Sequence, residues 1–202
     1  MNKQLIVTIG REYGSAGHII AEKLARKLEI TLYDRKFIEN SYELIGYSRE
    51  ILEKFDEKPV NVWFSKKIGN HSNSIESHVQ QRIFDFIKDK ADMGESFVIV
   101  GRCADQLLRK NSNTVRVFIL GDIEEKISHV MEVYNLPRNK ALAKIKRHDK
   151  KRKAYHNTYS DIKWGDSRGY HLCINSSLLG IDDTVEMLYD YVIRFMNVKK
   201  TH

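Results

Sequence analysis

Five short apolar runs, each rich in β-branched residues, restrict this chain more than anything else in it. Leu5-Ile6-Val7-Thr8-Ile9 comes first, then Ile30-Thr31-Leu32-Tyr33 and Phe97-Val98-Ile99-Val100. Val115-Arg116-Val117-Phe118-Ile119-Leu120 and Leu172-Cys173-Ile174-Asn175 complete the set. A strand with one wet face alternates apolar and polar side chains, whereas a strand covered on both faces is apolar throughout. These runs are of the second kind. Between them the pattern changes to that of helices. Ile20, Leu24 and Leu28 share one face near the start, and Val185, Leu188, Tyr189, Val192 and Met196 share one near the end. Strand and helix in alternation predict an α/β class, with a parallel five-stranded sheet and helices on both of its faces.

Two segments stand outside that alternation. The stretch from Arg35 to Met93 contains no good strand and reads as helices bounded by Gly46, Pro59 and the polar turn Gly69-Asn70-His71-Ser72-Asn73. About sixty residues are too many for a simple crossover, which predicts a helical lobe beside the sheet. The second segment is set apart by charge. The whole chain carries a net +7, yet nine of the sixteen residues from Arg138 to Lys153 are Lys or Arg against one acid, Asp149. That segment alone is +8, leaving −1 for the other 186 residues. The chain is thus a nearly neutral protein with one cationic appendage. It holds two prolines and no Gly/Ser linker, so residues 1–202 read as a single domain.

Composition narrows the class further. With 42% hydrophobic and 30% charged residues, the chain is neither disordered nor membrane-embedded. No apolar run approaches the length of a membrane-spanning helix, and MNKQLIVTIG enters a strand without the apolar stretch of a signal peptide. Cys103 and Cys173 have neither metal nor redox spacing and are read as reduced, in a cytoplasmic protein.

Directly after the first run stands Gly10-Arg11-Glu12-Tyr13-Gly14-Ser15-Ala16-Gly17-His18, and then the first helix. Glycines let successive N–H groups curl inward on an anion, and the helix N-terminus adds free N–H groups and a partial positive charge. Strand, glycine loop and helix in that order are the setting of a phosphate-binding loop. Gly10, Arg11, Gly14, Ser15, Ala16, Gly17, His18 and Ile19 are therefore the candidate phosphate-contacting residues, against the plainer reading of a tight turn. The loop departs from the Walker A pattern. His18 and Ile19 hold the positions of its Lys and its Ser/Thr, and Glu12 stands where its first glycine belongs. Arg11 or His18 is left to supply the cation, and Ser15 a hydroxyl. A histidine in that role would be pH-sensitive; the plainer reading of His18 is a solvent-facing residue at a helix start.

Along nearly its whole length the chain resembles the cytidylate-kinase-like branch of the P-loop nucleoside monophosphate kinases. Gly101-Arg102, after the third run, is similar to the family's strand-terminal Gly-Arg-Asp, where the arginine meets the acceptor nucleotide. Here Cys103 takes the place of the acid and Asp105 is the nearest carboxylate. Tyr33-Asp34 resembles the family's Leu-Asp, whose carboxylate sits near the acceptor. The basic segment, with Arg147, Asp149 and Arg152, resembles the lid whose arginines close over the transferring phosphoryl group. Asn175-Ser176-Ser177, followed by Leu179-Gly180-Ile181, resembles the segment beside the adenine. The loop Arg-Glu-Tyr-Gly-Ser-Ala-Gly-His is itself similar to the form carried by the kinase-like branch.

That resemblance implies a P-loop NTPase-type three-layer fold with a helical acceptor-binding insertion over 35–93 and a basic helical lid over 138–160. It implies ATP with Mg2+ held mainly by the nucleotide, and a phosphorylated small-molecule acceptor. Arg147, Arg152, Asp34 and His18 take catalytic roles under it, and Asp34, Arg102 and Arg82 contact the acceptor. Asp34 has a competing reading as the N-cap of a helix starting at Arg35, and Arg82 as a solvated surface cation. Trp164-Gly165-Asp166 and Tyr155 to Tyr159 read as a hinge packing the lid on the sheet rather than as a base-stacking platform. Asp166 is a candidate partner for a lid arginine.

Three function classes follow. The first is a phosphotransferase, with CMP or dCMP the first acceptor to try. Phosphoryl transfer needs positioning and cations more than covalent chemistry, and a mobile basic lid supplies both. The second is a nucleotide-binding module with weak or no transfer, because the Walker lysine is replaced by His18. The third, a nucleic-acid-binding protein, rests on the +8 segment alone, with no second basic stripe or helix-turn-helix beside it. Leu142 and Ile145 give the segment too narrow an apolar face for a membrane surface. Base specificity and oligomeric state leave no readable signal.

Overall fold

Each of the five apolar runs is a strand in the computed structural model, which describes residues 4–55, 67–68, 71–72 and 75–198. In chain order the strands are β1 (Ile6–Arg11), β2 (Thr31–Tyr33), the two-residue β3 (Lys67–Ile68) and β4 (His71–Ser72), β5 (Phe97–Val100), β6 (Thr114–Leu120) and β7 (Leu172–Asn175). The helices are α1 (Gly17–Lys27), α2 (Arg35–Asn40), α3 (Tyr42–Ile45), α4 (Arg49–Phe55), α5 (Ile75–Asp92), α6 (Ala104–Leu107), α7 (Ile123–Tyr134), α8 (Arg138–Tyr159) and α9 (Ser176–Val198).

The main sheet runs β2-β5-β1-β6-β7, and every neighbouring pair in it is parallel. β1 is central: Ile6 stands opposite Phe97 on one side and Thr114 on the other. Alternate residues of the central strands serve two cores. Val7, Ile9, Val98 and Val100 pack with Ile20 and Leu24 of α1 and with Val185, Leu188 and Val192 of α9. Ile6, Phe97 and Ile99 pack with Ile83 and Ile87 of α5 and Ile38 of α2. Burial on both faces is why the central runs carry no polar alternation, whereas the edge strands β2 and β7 leave Thr31 and Cys173 exposed. The result is a three-layer α/β arrangement, as expected from the runs. Chain order places the β1 and β5 ends side by side, where Gly101 donates its N–H to the Ile9 carbonyl at 3.1 Å. In open α/β sheets the crevice at such a switch of strand order receives the ligand.

The expectation that Arg35–Met93 holds no strand is corrected by β3 and β4, which pair Lys67 with Ser72 and Ile68 with His71 in antiparallel. Two-residue strands have no room for a detectable alternation. Gly46, with φ +81°, ends α3 as the sequence suggested. Pro59, Gly69, Asn70 and Asn73 lie outside the described residues.

The cationic segment lies within one 22-residue helix, α8, seated on α7 through Ile127, Val130, Ala141 and Ile145. The aromatics after it pack, as the hinge reading requires. The Tyr155 hydroxyl donates to Gln80 Oε1 of α5 at 2.7 Å, Tyr159 meets Phe84 edge-on, and Trp164 meets Phe118 edge-on. Asp166 does not reach a lid arginine. It caps the short 3₁₀ turn Ser167–Gly169 and takes the Arg168 Nε–H at 2.9 Å, a partner two residues away that its backbone already supplies.

Candidate active site

The glycine loop leaves β1 at Arg11 and enters α1 at Gly17. Two of its glycines are fixed by geometry. Gly14 has φ +87°, and a Cβ there would come within 3.0 Å of the Lys126 carbonyl oxygen. A Cβ on Gly17 would stand 2.6 Å from Arg11 Cβ. Ala16, the N-cap of α1, is left-handed at φ +55° despite its side chain. Arg102 and Cys103, after β5, are also left-handed, at φ +58° and +51°. Left-handed backbone at residues bearing a Cβ costs about 1–2 kcal/mol each and gathers at functional sites. Three of the five such residues among those described flank this one crevice.

Sequence reasoning missed the charge network beneath the loop. Lys126 of α7 is buried, at 7% exposure, and its Nζ is 2.8 Å from Glu12 Oε2 and 3.8 Å from Asp149 Oδ2. Glu12 also accepts the Gly121 N–H at 3.3 Å. Glu12 therefore replaces the first Walker glycine as the counter-charge of a buried lysine. Asp149 Oδ1 accepts the Tyr13 N–H of the loop at 2.7 Å. Its burial raises the carboxyl pKa, opposed by the Tyr13 hydrogen bond and by Lys126 and Arg152. The signal for Asp149 was present as the one acid among nine cations; Lys126, on an ordinary amphipathic helix, offered none.

Above the loop α8 makes further contacts. Arg152 Nη1 donates to the Arg11 carbonyl at 3.2 Å, and its guanidinium lies 5.4 Å from the Tyr13 ring centre. His148 stacks on the same ring at 4.2 Å. Burial first, then Arg152, Arg147, Lys144 and Lys151, pushes the His148 pKa down to about 4, so the ring is neutral at pH 7.

Two spaces open on either side of Arg11 and Arg152. One is a cleft of about 320 Å³ between the loop residues Glu12 to Ile19 and α7, where His129 and Tyr134 form its far wall. The other, of about 20 Å³, has room for roughly one water. It lies between Gly10 and Gly101 below and the last turns of α8 above, and Arg102, Asp105, His156 and Tyr170 line it. Arg102 is 1% exposed, an unusual place for a guanidinium. Asp105 and His156, both buried, are joined at 2.8 Å.

The other candidates divide. Asp34 takes the capping reading and also lies near His18. Its Oδ1 accepts the Phe37 N–H at 2.8 Å as the N-cap of α2, and its Oδ2 is 3.6 Å from His18 Nε2, whose side chain is 53% exposed. Ser15 is buried, and its hydroxyl bonds the Glu12 carbonyl at 2.9 Å. The Ser176 hydroxyl, from the segment beside the expected adenine site, reaches the Ser15 carbonyl at 2.8 Å and ties that segment to the loop. Arg147 is not brought to the crevice. It lies on an open surface of α8 near Lys140, about 140° around the helix from Arg152. Arg82 bonds the Ile45 carbonyl at 3.0 Å through Nε, closing the end of α3.

A central strand leading into a glycine loop, flanked by two parallel neighbours and covered by a basic helix, defines a P-loop kinase-type fold. The shikimate kinase from Bacteroides thetaiotaomicron shares it with a TM-score of 0.55 at 12% identity, over 93% of this chain and 98% of its own. Shikimate kinase from Acinetobacter baumannii, solved in complex with shikimate, gives 0.55 at 12% over 96% and 95%. Much nearer is an uncharacterized protein from Eubacterium ventriosum, with a TM-score of 0.74 and 36% identity over 94% of this chain and 98% of that one. The search of curated proteins gave no match. Residues 6–178 match the model of the cytidylate kinase-like family, and the chain belongs to that family.

Proposed function

We propose that the protein is a phosphotransferase that moves the γ-phosphoryl group of ATP to a nucleoside monophosphate, CMP or dCMP first, or to another small acceptor. The observation that carries this reading is the pair of spaces meeting at Arg11 and Arg152. A donor seated along the loop and an acceptor at the end of β5 would have those two guanidiniums between them, where negative charge accumulates in transfer.

The loop residues fit a polyphosphate. Gly14 and Gly17 let the loop pack tightly against Lys126 and Arg11, and the start of α1 offers free N–H groups. Magnesium, when bound, would screen the phosphate charge. The Ser15 hydroxyl already bonds the Glu12 carbonyl, so the metal would be held chiefly by the nucleotide. Arg152 would orient and neutralise the transferring group, and the lid would exclude water on closing. Arg102 would clamp the acceptor's anionic group. Asp34 would hold His18 at the edge of the loop. In this reading the helices over 35–93 form the acceptor lobe and α8 the lid, in a cytoplasmic enzyme.

ADP release over a panel of monophosphates and other small acceptors tests the proposal. Turnover with at least one acceptor, abolished by Arg152→Ala, is the expected result; none with any acceptor removes it.

A second reading has a specific observation behind it. The carboxylate of Asp149 holds a loop N–H, and Glu12 neutralises the nearby lysine, so the loop's charge is already compensated within the chain. That arrangement suits a nucleotide-binding module with little transfer. It predicts a rise in melting temperature with ATP and no ADP release.

A further inference from the structure

The crevice holds a charge relay that phosphate chemistry at both ends would not need. Asp105, in the first turn of α6, and His156, near the end of α8, are 51 residues apart in sequence and joined at 2.8 Å. Both side chains are at least nine-tenths buried. A carboxylate oxygen accepts, so His156 Nε2 is the nitrogen that donates to Asp105, and Nδ1 is the one left over. Nδ1 is buried and makes no hydrogen bond. One nitrogen is fixed by a carboxylate and the other is buried without a partner, beside a space that holds about one water, which is how a general base is held before its substrate arrives.

The location points the same way. His156 lines the small space that Arg11 and Arg152 separate from the loop cleft. Asp149, Arg152 and His156 follow one another at intervals of three and four on α8, so they lie on one face and travel together with the lid. The Cys103 thiol reaches the His156 carbonyl at 3.7 Å and holds this turn of α8 against the end of β5. Charged and titratable groups reach the same space from every side. Asp105, Arg11, Arg102, Cys103 and Tyr170 come from other elements, and Arg152 and Tyr155 from α8 itself. Burial raises the Tyr170 pKa, keeping its phenol protonated.

A phosphate monoester, with its second pKa near 6, is largely a dianion at neutral pH and attacks phosphorus without losing a proton. An alcohol must lose one. We infer that His156, held by Asp105, removes that proton, and that the acceptor is a small alcohol bearing an acidic group for Arg102. In the transfer the hydroxyl proton passes to His156 Nδ1 and the oxygen forms the new bond to the γ-phosphorus. The bond from that phosphorus to the β–γ bridging oxygen breaks, and its electron pair leaves with ADP. His156 is the catalytic residue and Asp105 a positioning residue acting through it.

This rests on the kinase reading, and the test separates the two. ADP release from Mg·ATP is measured on the full chain between pH 5.5 and 9. The acceptors are hydroxy acids and sugar acids, the nucleoside monophosphates, and water alone as the simplest hydroxyl. The melting temperature is recorded with and without ATP. The expected result is turnover on a hydroxy acid, cut about 10²–10³-fold in kcat by His156→Gln with ATP stabilisation retained. Asp105→Asn should lower kcat while leaving KM for the acceptor and ATP stabilisation unchanged, a split that lost packing alone would not give. Turnover of a monophosphate at the wild-type rate by folded His156→Gln overturns the inference and leaves the kinase standing. ADP release that does not depend on His156, water included, also overturns the inference and leaves the kinase standing, whereas ATP stabilisation with no ADP release from any acceptor removes both. Absence of ATP stabilisation removes the kinase reading itself, and this inference with it.

Discussion

The two faces of α8 have the same kind of composition and opposite surroundings. The inner face presents Asp149 to a loop N–H, Arg152 to the loop's carbonyl and His156 to Asp105. The outer face presents Lys140 and Arg147 to an open surface, while Lys144 lies over the Tyr134 ring at 3.9 Å. One arginine is thus a part of the crevice and the other, five residues away, is a solvated cation. Exposed charges act through a high dielectric and are screened by salt, whereas those at a closed cavity act at close range. Charge count locates the appendage, and burial decides which of its charges matter.

The largest expected effect would break that contrast at its centre. Arg152→Ala should lower kcat about 10³-fold or more, about 4 kcal/mol of transition-state stabilisation, in steady-state ADP release. Equal losses from Arg152→Ala and Arg147→Ala would mean that the two faces do not differ. Next comes the loop under the inner face. Gly17→Ala places a methyl 2.6 Å from Arg11 Cβ and should cost about 1–3 kcal/mol in urea denaturation, with ATP stabilisation lost as well.

Asp149→Asn removes a negative charge from the place where phosphates would sit and leaves a near-isosteric side chain. Binding of Mg·ATP should tighten about tenfold at low salt, read by calorimetry, if close-range charge governs this face. Weaker binding would instead make the Tyr13–Asp149 bond part of the nucleotide seat.

His148 gives the contrast a pH axis. Its folded pKa of about 4 lies below the unfolded value near 6.5, so the unfolded chain binds more protons between those values. Stability should therefore fall as pH drops through that window and level off below it. His148→Phe, which keeps the stacking on Tyr13, should flatten the melting-temperature profile between pH 4 and 7. The smallest effect belongs to the outer face: Arg147→Ala should change kcat less than about threefold, the scale of an exposed pair. Salt-sensitive binding of nucleic acid that depends on Lys140, Lys144 and Arg147 would give that face a function of its own.

Much of this molecule is legible in the sequence. The central apolar runs specify strands buried on both faces because a covered strand has nowhere to put a polar side chain. The glycine loop announces itself because Gly14 and Gly17 meet the Lys126 carbonyl and the Arg11 Cβ too closely for any larger residue. Asp34 reads as a cap because capping is local, one side chain reaching an N–H three residues on. What stayed hidden has a common cause. Lys126 to Glu12 spans 114 residues, Tyr13 to Asp149 spans 136, and His156 to Asp105 spans 51.

By itself, then, the sequence determined the class of the fold, the position of the loop and the existence of a strongly cationic helix, since each follows from local period and composition. It could not set the phase of that helix. A period of 3.6 residues separates the Arg147 side from the Arg152 side but does not say which turns inward. That was decided by Ala141 and Ile145 seating α8 on α7, and by the aromatic end of α8 seating on α5. Packing fixes the rotation of the helix, and the rotation selects which of its charges face the crevice.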